Sequence, residues 1–183
     1  MKIRILSSDD VRQALPMETA IEGMKLAFSR FSSGRVEMPL RSRVHVPEQE
    51  GVLLTMPAAI PDDGEMAVKI VTVFGTNPAR GFPLIHAAVL MFDADNGQVK
   101  ALMDGEVLTA VRTGAGVGAA TDLLAPEDAV TVAIIGSGKQ ACSQLDAVCT
   151  VRSIRQAWVY SPNSEHALTF AEEMSGVGPI PNN

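Results

Sequence analysis

One stretch limits the architecture of this chain more than any other: Val130-Thr131-Val132-Ala133-Ile134-Ile135-Gly136-Ser137-Gly138-Lys139-Gln140-Ala141. A β-prone apolar run breaks into a glycine-rich turn and then into a helical pattern, so the stretch reads as strand, turn, helix. Gly136 can make the tight turn. Gly138 lets backbone approach a pyrophosphate because no Cβ intervenes, and Ala141 permits close packing of helix on strand. Free N–H groups and the dipole of the helix then face the phosphates, with Ser137, Lys139 and Gln140 at the same mouth. A bare G-x-G-x-x-A carries little weight. Here a strand precedes it and an amphipathic helix (Ala141, Leu145, Val148, Val151) follows, which is the context a dinucleotide site demands; the alternative is an ordinary strand-to-helix turn.

Downstream, Gln156-Ala157-Trp158-Val159-Tyr160 reads as a second parallel strand and residues 164–174 as the next helix. A carboxylate that binds the ribose hydroxyls is expected at the end of that second strand. Ser161-Pro162-Asn163-Ser164 stands there instead. With no acid to repel a 2′-phosphate, NADP(H) is at least as compatible as NAD(H), although no arginine is present to clamp that phosphate. Ser161 is the candidate cofactor residue of this strand end.

At 183 residues the chain has room for one domain, or for one domain and part of another. A formal net charge of -6 without basic clusters gives no support to nucleic-acid binding. The opening Met1-Lys2-Ile3-Arg4-Ile5-Leu6 is soon interrupted by Ser7-Ser8-Asp9-Asp10, too short for a signal h-region. No apolar run approaches the roughly 18 residues of a membrane span, so the expectation is a cytoplasmic protein. Cys142 and Cys149 lie seven apart on one predicted helix, about 10 Å from each other and beyond disulfide reach. No Cys/His spacing suggests a metal.

Ahead of the glycine turn, the chain opens on a short strand over residues 3–6, and Ser7-Ser8-Asp9-Asp10 can cap a first helical turn. A helix over residues 16–33 follows, with Ile21, Met24, Ala27, Phe28 and Phe31 as its core-facing stripe and Gly34 as its stop. Residues 40–46 alternate, so Arg41, Arg43 and His45 share one face of a strand, either solvated or set to recognise an anion. Residues 51–56 form its hairpin partner through Pro47-Glu48-Gln49-Glu50, ended by Pro57 and Pro61. In Met66-Ala67-Val68-Lys69-Ile70-Val71-Thr72-Val73 both alternating sets are apolar, which predicts a strand buried on both faces. Lys69 in its middle is costly unless it meets an anion or a polar cavity; a snorkelling edge lysine is the alternative.

Residues 85–92 and 98–103 read as two strands joined around Asn96-Gly97. Asp104 is an N-cap for a helix running to Leu124, in which Thr109, Arg112, Thr113 and Gly116 form one polar stripe. Gly114, Gly116 and Gly118 leave that helix thin, which suggests close approach of another element or of a cofactor. Arg112 is then either an outward arginine on a close-packed helix or, the favoured reading, a ligand-facing one.

The order Lys69-Ile70-Val71, Asn77-Pro78, Gly81, Leu108-Thr109-Ala110-Val111-Arg112-Thr113-Gly114-Ala115, then Ile134-Ile135-Gly136-Ser137-Gly138-Lys139-Gln140-Ala141 resembles the ornithine cyclodeaminase/mu-crystallin family. The resemblance runs from Leu6 to about Met174. That family includes ornithine cyclodeaminase, archaeal-type alanine dehydrogenase and ketimine or pyrroline-carboxylate reductases, and mu-crystallin also binds thyroid hormone. It implies an α/β protein: an N-terminal α/β substrate and dimerisation domain over residues 1–125, an incomplete Rossmann-like parallel-sheet domain for NAD or NADP over residues 126–175, and an irregular tail over residues 176–183. It implies a homodimer, and an amino-acid or imino-acid substrate whose carboxylate is held by Lys69, Arg112 and one of Arg41 and Arg43, with Lys69 as catalytic residue. Thr113 joins the glycine turn in cofactor binding.

In such enzymes hydride passes between the substrate Cα and nicotinamide C4, interconverting amine and imine; in the cyclodeaminases the imine is trapped intramolecularly and the hydride returns. The family pattern also implies further Rossmann strands and a later acid/base aspartate, for which these residues hold no counterpart. The sequence therefore reads as a C-terminally truncated member. The alternative to an oxidoreductase is a non-catalytic NAD(P)H- or ligand-binding protein, or an inactive fragment.

Overall fold

Six strands from the first part of the chain pair into one mixed sheet, in the computed structural model that describes residues 2–175. The tail expected over residues 176–183 lies outside the described residues. The strands are β1 (Arg4–Leu6), β2 (Ser42–Val46), β3 (Gly51–Ile60), β4 (Glu65–Phe74), β5 (Ile85–Asp93) and β6 (Val99–Asp104), in the order β1-β6-β5-β4-β3-β2. Only β1 with β6 is parallel; the rest is an antiparallel meander. Turn chemistry explains the meander. Glu50, Gly64 and Gly97 take left-handed backbone at the β2–β3, β3–β4 and β5–β6 connections, a conformation that glycine adopts at no steric cost.

The chain separates into two compact units: residues up to Ala14 with Phe28–Thr109, and Leu15–Ala27 with the chain from Ala110 onward. In the first unit, Ser7 and Asp10 cap α1 (Ser8–Ala14) reciprocally. The Ser7 N–H and Oγ–H donate to the Asp10 carboxylate at 2.8 and 2.6 Å, and the Asp10 N–H donates back at 3.3 Å.

Two expectations change here. Strand β3 does not stop at Pro57 but runs on to Ile60. Ala59 exchanges both backbone bonds with Glu37, which turns the backbone nitrogens of residues 55, 57 and 59 to the β2 side. Beyond Ser42 opposite Thr55, β2 has no further ladder partner for β3. The donor that Pro57 lacks therefore interrupts no strand pairing, the edge position where proline is tolerated. Helix α2 (Met17–Ser32) buries Ala20 and Ile21, but Phe28 and Phe31 are about half exposed, 52% and 53%. In the first unit this end of α2 is tied by an ion pair, Arg30 to Asp63 at 2.6 Å, and not by its aromatic rings.

Strand β4 is internal in the sheet, yet only Val71 is fully buried; Met66, Val68, Ile70 and Lys69 are half-buried. Following the register across the sheet, Ile5, Leu102, Leu90 and Val68 line one face without one of them being buried.

Helix α3 (Gly105–Leu124) starts with Asp104 accepting from the Val107 N–H at 2.8 Å, the expected N-cap. In the second unit, β7 (Thr131–Ile135) and β8 (Gln156–Tyr160) pair in parallel through α4 (Lys139–Val151), and α5 (Ser164–Met174) follows. One face of β7 and β8 packs on α4 and α5 through Ile134, Ala141, Leu145, Val148, Ile154 and Phe170. Among the described residues the other face is open: Ile135 is 86% exposed and Trp158 62%. A parallel pair ordinarily has both faces covered. A second cluster joins Ala20 and Ile21 to Ala115, Ala119 and Ala147. Both cysteines are free, as expected, and burial pushes both thiols up. No helix among the described residues is long and apolar enough to cross a membrane.

Candidate functional site: a glycine turn and its neighbouring helix

The expected strand, turn and helix form as the sequence requires. β7 ends at Ile135, Gly136 has φ +106°, and Gly138 is the N-cap of the 13-residue α4. A φ of that sign is open to glycine and strained for other residues. The Gly136 N–H donates to the Tyr160 carbonyl at 2.8 Å, so the turn leaves the sheet beside the end of β8.

Gly138, having no side chain, makes no capping hydrogen bond of its own to α4. A Cβ placed on Gly138 would meet nothing within 4 Å. Space lies open in front of a helix N-terminus whose first N–H groups have no intrahelical acceptor, the arrangement that receives a phosphate. Gly138, Lys139 and Gln140 are exposed there, Ser137 is half-buried, and Ala141 is 7% exposed against the sheet. These residues fit a pyrophosphate. Ser161, half-buried, follows Tyr160 at the end of β8, and the Asn163 side-chain oxygen accepts from the N–H groups of Glu165 at 2.9 Å and His166 at 3.4 Å. Asn163 thereby caps α5, a role its place in a Ser-Pro-Asn-Ser run signals but does not single out.

Gly114 and Gly118 of α3 find their explanation in a neighbouring element. A Cβ on Gly114 would stand 2.2 Å from the Ser143 carbonyl oxygen, and one on Gly118 would stand 3.1 Å from the Ala147 Cβ. Further along, Arg152 bonds the Asp122 carboxylate at 3.0 Å. Contacts that advance together along both helices mean that α3 and α4 lie side by side and run in the same direction. Carried back one turn, that progression sets Ala110 against the first turn of α4, with Arg112 and Thr113 at the same level along α3. Arg112, exposed, and Thr113, half-buried, thus come from the helix next to the glycine turn. Sequence spacing showed the thin face of α3 but not which element would use it.

Three further candidates belong to the first unit. Register places Arg43 opposite Leu54, Leu54 opposite Val71, and Lys69 two residues before Val71, so Arg43, His45 and Lys69 share one face of the sheet. Arg41 lies just outside β2 and is exposed. Arg43 and His45 line an open cleft of about 540 Å³ floored by Val52 and Leu54. No group of three or more His, Cys, Asp or Glu residues able to hold a metal is present among the described residues.

Comparison with known proteins gives a consistent picture. The model of the Ornithine cyclodeaminase/mu-crystallin family matches residues 1–179. The Delta(1)-pyrroline-2-carboxylate reductase of Bacillus cereus is 34% identical over 168 residues, 92% of this chain and 52% of the relative. The ketimine reductase mu-crystallin of Rattus norvegicus is 32% identical over 179 residues, 93% of this chain and 56% of the relative. Among solved structures, Thermococcus litoralis Delta(1)-pyrroline-2-carboxylate reductase, in complex with NADH and L-proline, superposes with a TM-score of 0.88 at 40% identity, over 98% of this chain and 55% of that one. The chain spans about half the length of the curated relatives it matches.

Proposed function

This chain belongs to the ornithine cyclodeaminase/mu-crystallin family; on that premise we propose that it serves an NAD(P)-dependent oxidoreductase reaction on a small amino or imino acid. The observation that carries the proposal is the glycine turn that leads from β7 into α4, with open space before Gly138. Imine reductases and a cyclodeaminase stand side by side among the similar proteins, so the proposal covers imine reduction and cyclodeamination alike.

Bound NAD(P)H would supply the hydride. The protein's own part is to hold and orient. Gly136, Ser137, Gly138, Lys139, Gln140 and Ala141 would hold the pyrophosphate, with Thr113 beside the turn and Ser161 toward the ribose. Arg112 is assigned to the substrate carboxylate, which a guanidinium can grip through two parallel hydrogen bonds. In the first unit, Lys69 and one of Arg41 and Arg43 are assigned to the same chemistry, Lys69 as a mobile point charge that balances the anion next to the reacting carbon. On this reading residues 1–125 carry substrate recognition and dimerisation and residues 126–175 the nucleotide.

A homodimer in the cytoplasm completes the proposal. The open apolar face through Ile5, Leu102, Leu90 and Val68 supports pairing with a second copy, and sedimentation equilibrium tests it.

The primary test is a fluorescence titration of the 183-residue chain with NADH and, in parallel, NADPH. Saturable binding supports the site and ranks the two cofactors. Absence of binding to folded protein removes the nucleotide assignment. Arg112→Ala should weaken L-proline while sparing NADH; equal loss of both removes Arg112 as a substrate ligand.

A further inference from the structure

Arg152, next after the last residue of α4, is the one charged residue buried among the described residues, at 8% exposure. Its guanidinium is spent on the far end of α3. Nε donates to the Pro126 carbonyl at 2.9 Å, and Nη2 donates to the carbonyls of Thr121, Asp122 and Ala125 at 3.0, 2.9 and 2.9 Å. Nη1 donates to the Asp122 carboxylate at 3.0 Å and to the Val151 carbonyl at 2.7 Å. The last carbonyls of a helix have no partners of their own, and a cation is favoured at that end.

The packing between α3 and α4 gives this cluster a second consequence. Gly114 and Gly118 let the two helices approach closely, with the Gly118 position also touching Ile21 of α2. A glycine face brings axes together, and the side chains that α3 adds to the contact are short, Ala115 and Ala119 against Ala147 with Val111 and Val117 beside them, so the ridges that resist sliding along the axis are low. Helix α4 is itself anchored, since Leu145 and Val148 are buried in the cluster with Ile134 and Phe170. A rigid five-donor fork bonded to four carbonyls at the end of α3 adds a directional axial stop to these contacts.

We propose that Arg152 is a positioning residue: it fixes the register of α3 on α4 and thereby holds Arg112, on the same helix, level with the glycine turn. The functional half of this inference rests on the assignment of Arg112 to the substrate carboxylate. Arg152 itself touches neither substrate nor nucleotide. A displacement of about 1 Å in a group that orients substrate is enough to cost roughly a hundredfold in rate.

The test uses the full chain with Arg152→Met, Arg152→Lys and, in parallel, Arg112→Ala. Amide hydrogen exchange, NADH affinity and L-proline affinity are measured on each. Both Arg152 variants should speed exchange over residues 110–120 while amides of α4 stay protected. L-proline affinity should fall about tenfold, a loss worth roughly 1.4 kcal/mol, with a smaller fall in NADH affinity because Thr113 rides on the same helix. Lysine should not rescue methionine, because a point charge keeps the Asp122 pair but cannot bridge four carbonyls. Unchanged exchange in α3 in either variant overturns the proposal, as does loss of both ligands in step with melting temperature. If Arg112→Ala keeps full L-proline affinity, the Arg112 assignment falls and takes the functional half with it, while the exchange result still decides whether Arg152 sets the register.

Discussion

Gly114 and Ser143 meet backbone to backbone: a Cβ on Gly114 would lie 2.2 Å from the Ser143 carbonyl oxygen and 2.6 Å from its carbonyl carbon. Alanine normally improves a helix interior by about 1 kcal/mol over glycine. At this position the added methyl meets atoms that cannot rotate away. Gly114→Ala should therefore destabilise the chain by about 1–3 kcal/mol, the usual cost of overpacking. Urea denaturation followed by circular dichroism measures it; a gain in stability would mean that α3 and α4 are further apart than described.

The two glycines of the turn should separate fold from function. Gly138 has ordinary extended backbone, φ −82°, and open space at its Cβ position. Gly138→Val should cost only about 0.5–1 kcal/mol of stability, because valine meets no clash there but is a poorer N-cap than glycine. It should nevertheless weaken NAD(P)H binding by about tenfold or more, because the side chain stands where the pyrophosphate must approach. Gly136, at φ +106°, behaves differently. Gly136→Ala should cost about 1–3 kcal/mol of stability through backbone strain alone. Equal loss of stability in both variants would contradict this division.

Asp122 should govern part of the acid limb of the stability curve. Its carboxyl is held below the usual 3.8, first by the hydrogen bond from Lys25 and then by that from Arg152. A carboxyl whose folded pKa lies below its unfolded value contributes stability that is fully present above about 4 and is lost as pH falls through the folded value. Asp122→Asn should lower the melting temperature at pH 7, and the difference from the parent protein should shrink as the pH falls below about 4. Parallel melting curves for the two proteins across that range would show the opposite of the expectation.

Asn163 offers a cap-specific test. Alanine there should cost about 0.5–2 kcal/mol, whereas aspartate, an equally good N-cap, should hold stability. Thermal melts of the two variants decide it, and similar losses in both would sink the capping role.

Much of the architecture was legible from local chemistry. Asp104, Gly97 and the run from Val130 to Ala141 each announce a cap, a turn or a strand-to-helix junction, and each forms where it was expected. What stayed hidden depends on neighbours distant in sequence. Pro57 reads as a strand end, and only the Ala59 exchange with Glu37 reveals that its side of β3 had no ladder to lose. Phe28 and Phe31 keep the periodicity of a core stripe, yet periodicity cannot say where a covering element stops. Gly114 and Gly118 advertise a close approach without naming Ser143 and Ala147 as its object. Arg152 carries no local signal at all, since an arginine after a helix is ordinary until its six acceptors are seen.

The open side of the β7–β8 pair carries its own optical gauge. Trp158 is the chain's single tryptophan, and it stands on that side, beside the strand that ends in the glycine turn. An indole bathed in water emits toward the red and is open to collisional quenching by iodide. Anything that settles over Ile135 and Trp158 would therefore announce itself as a blue shift and a loss of quenching, with no label attached to the protein.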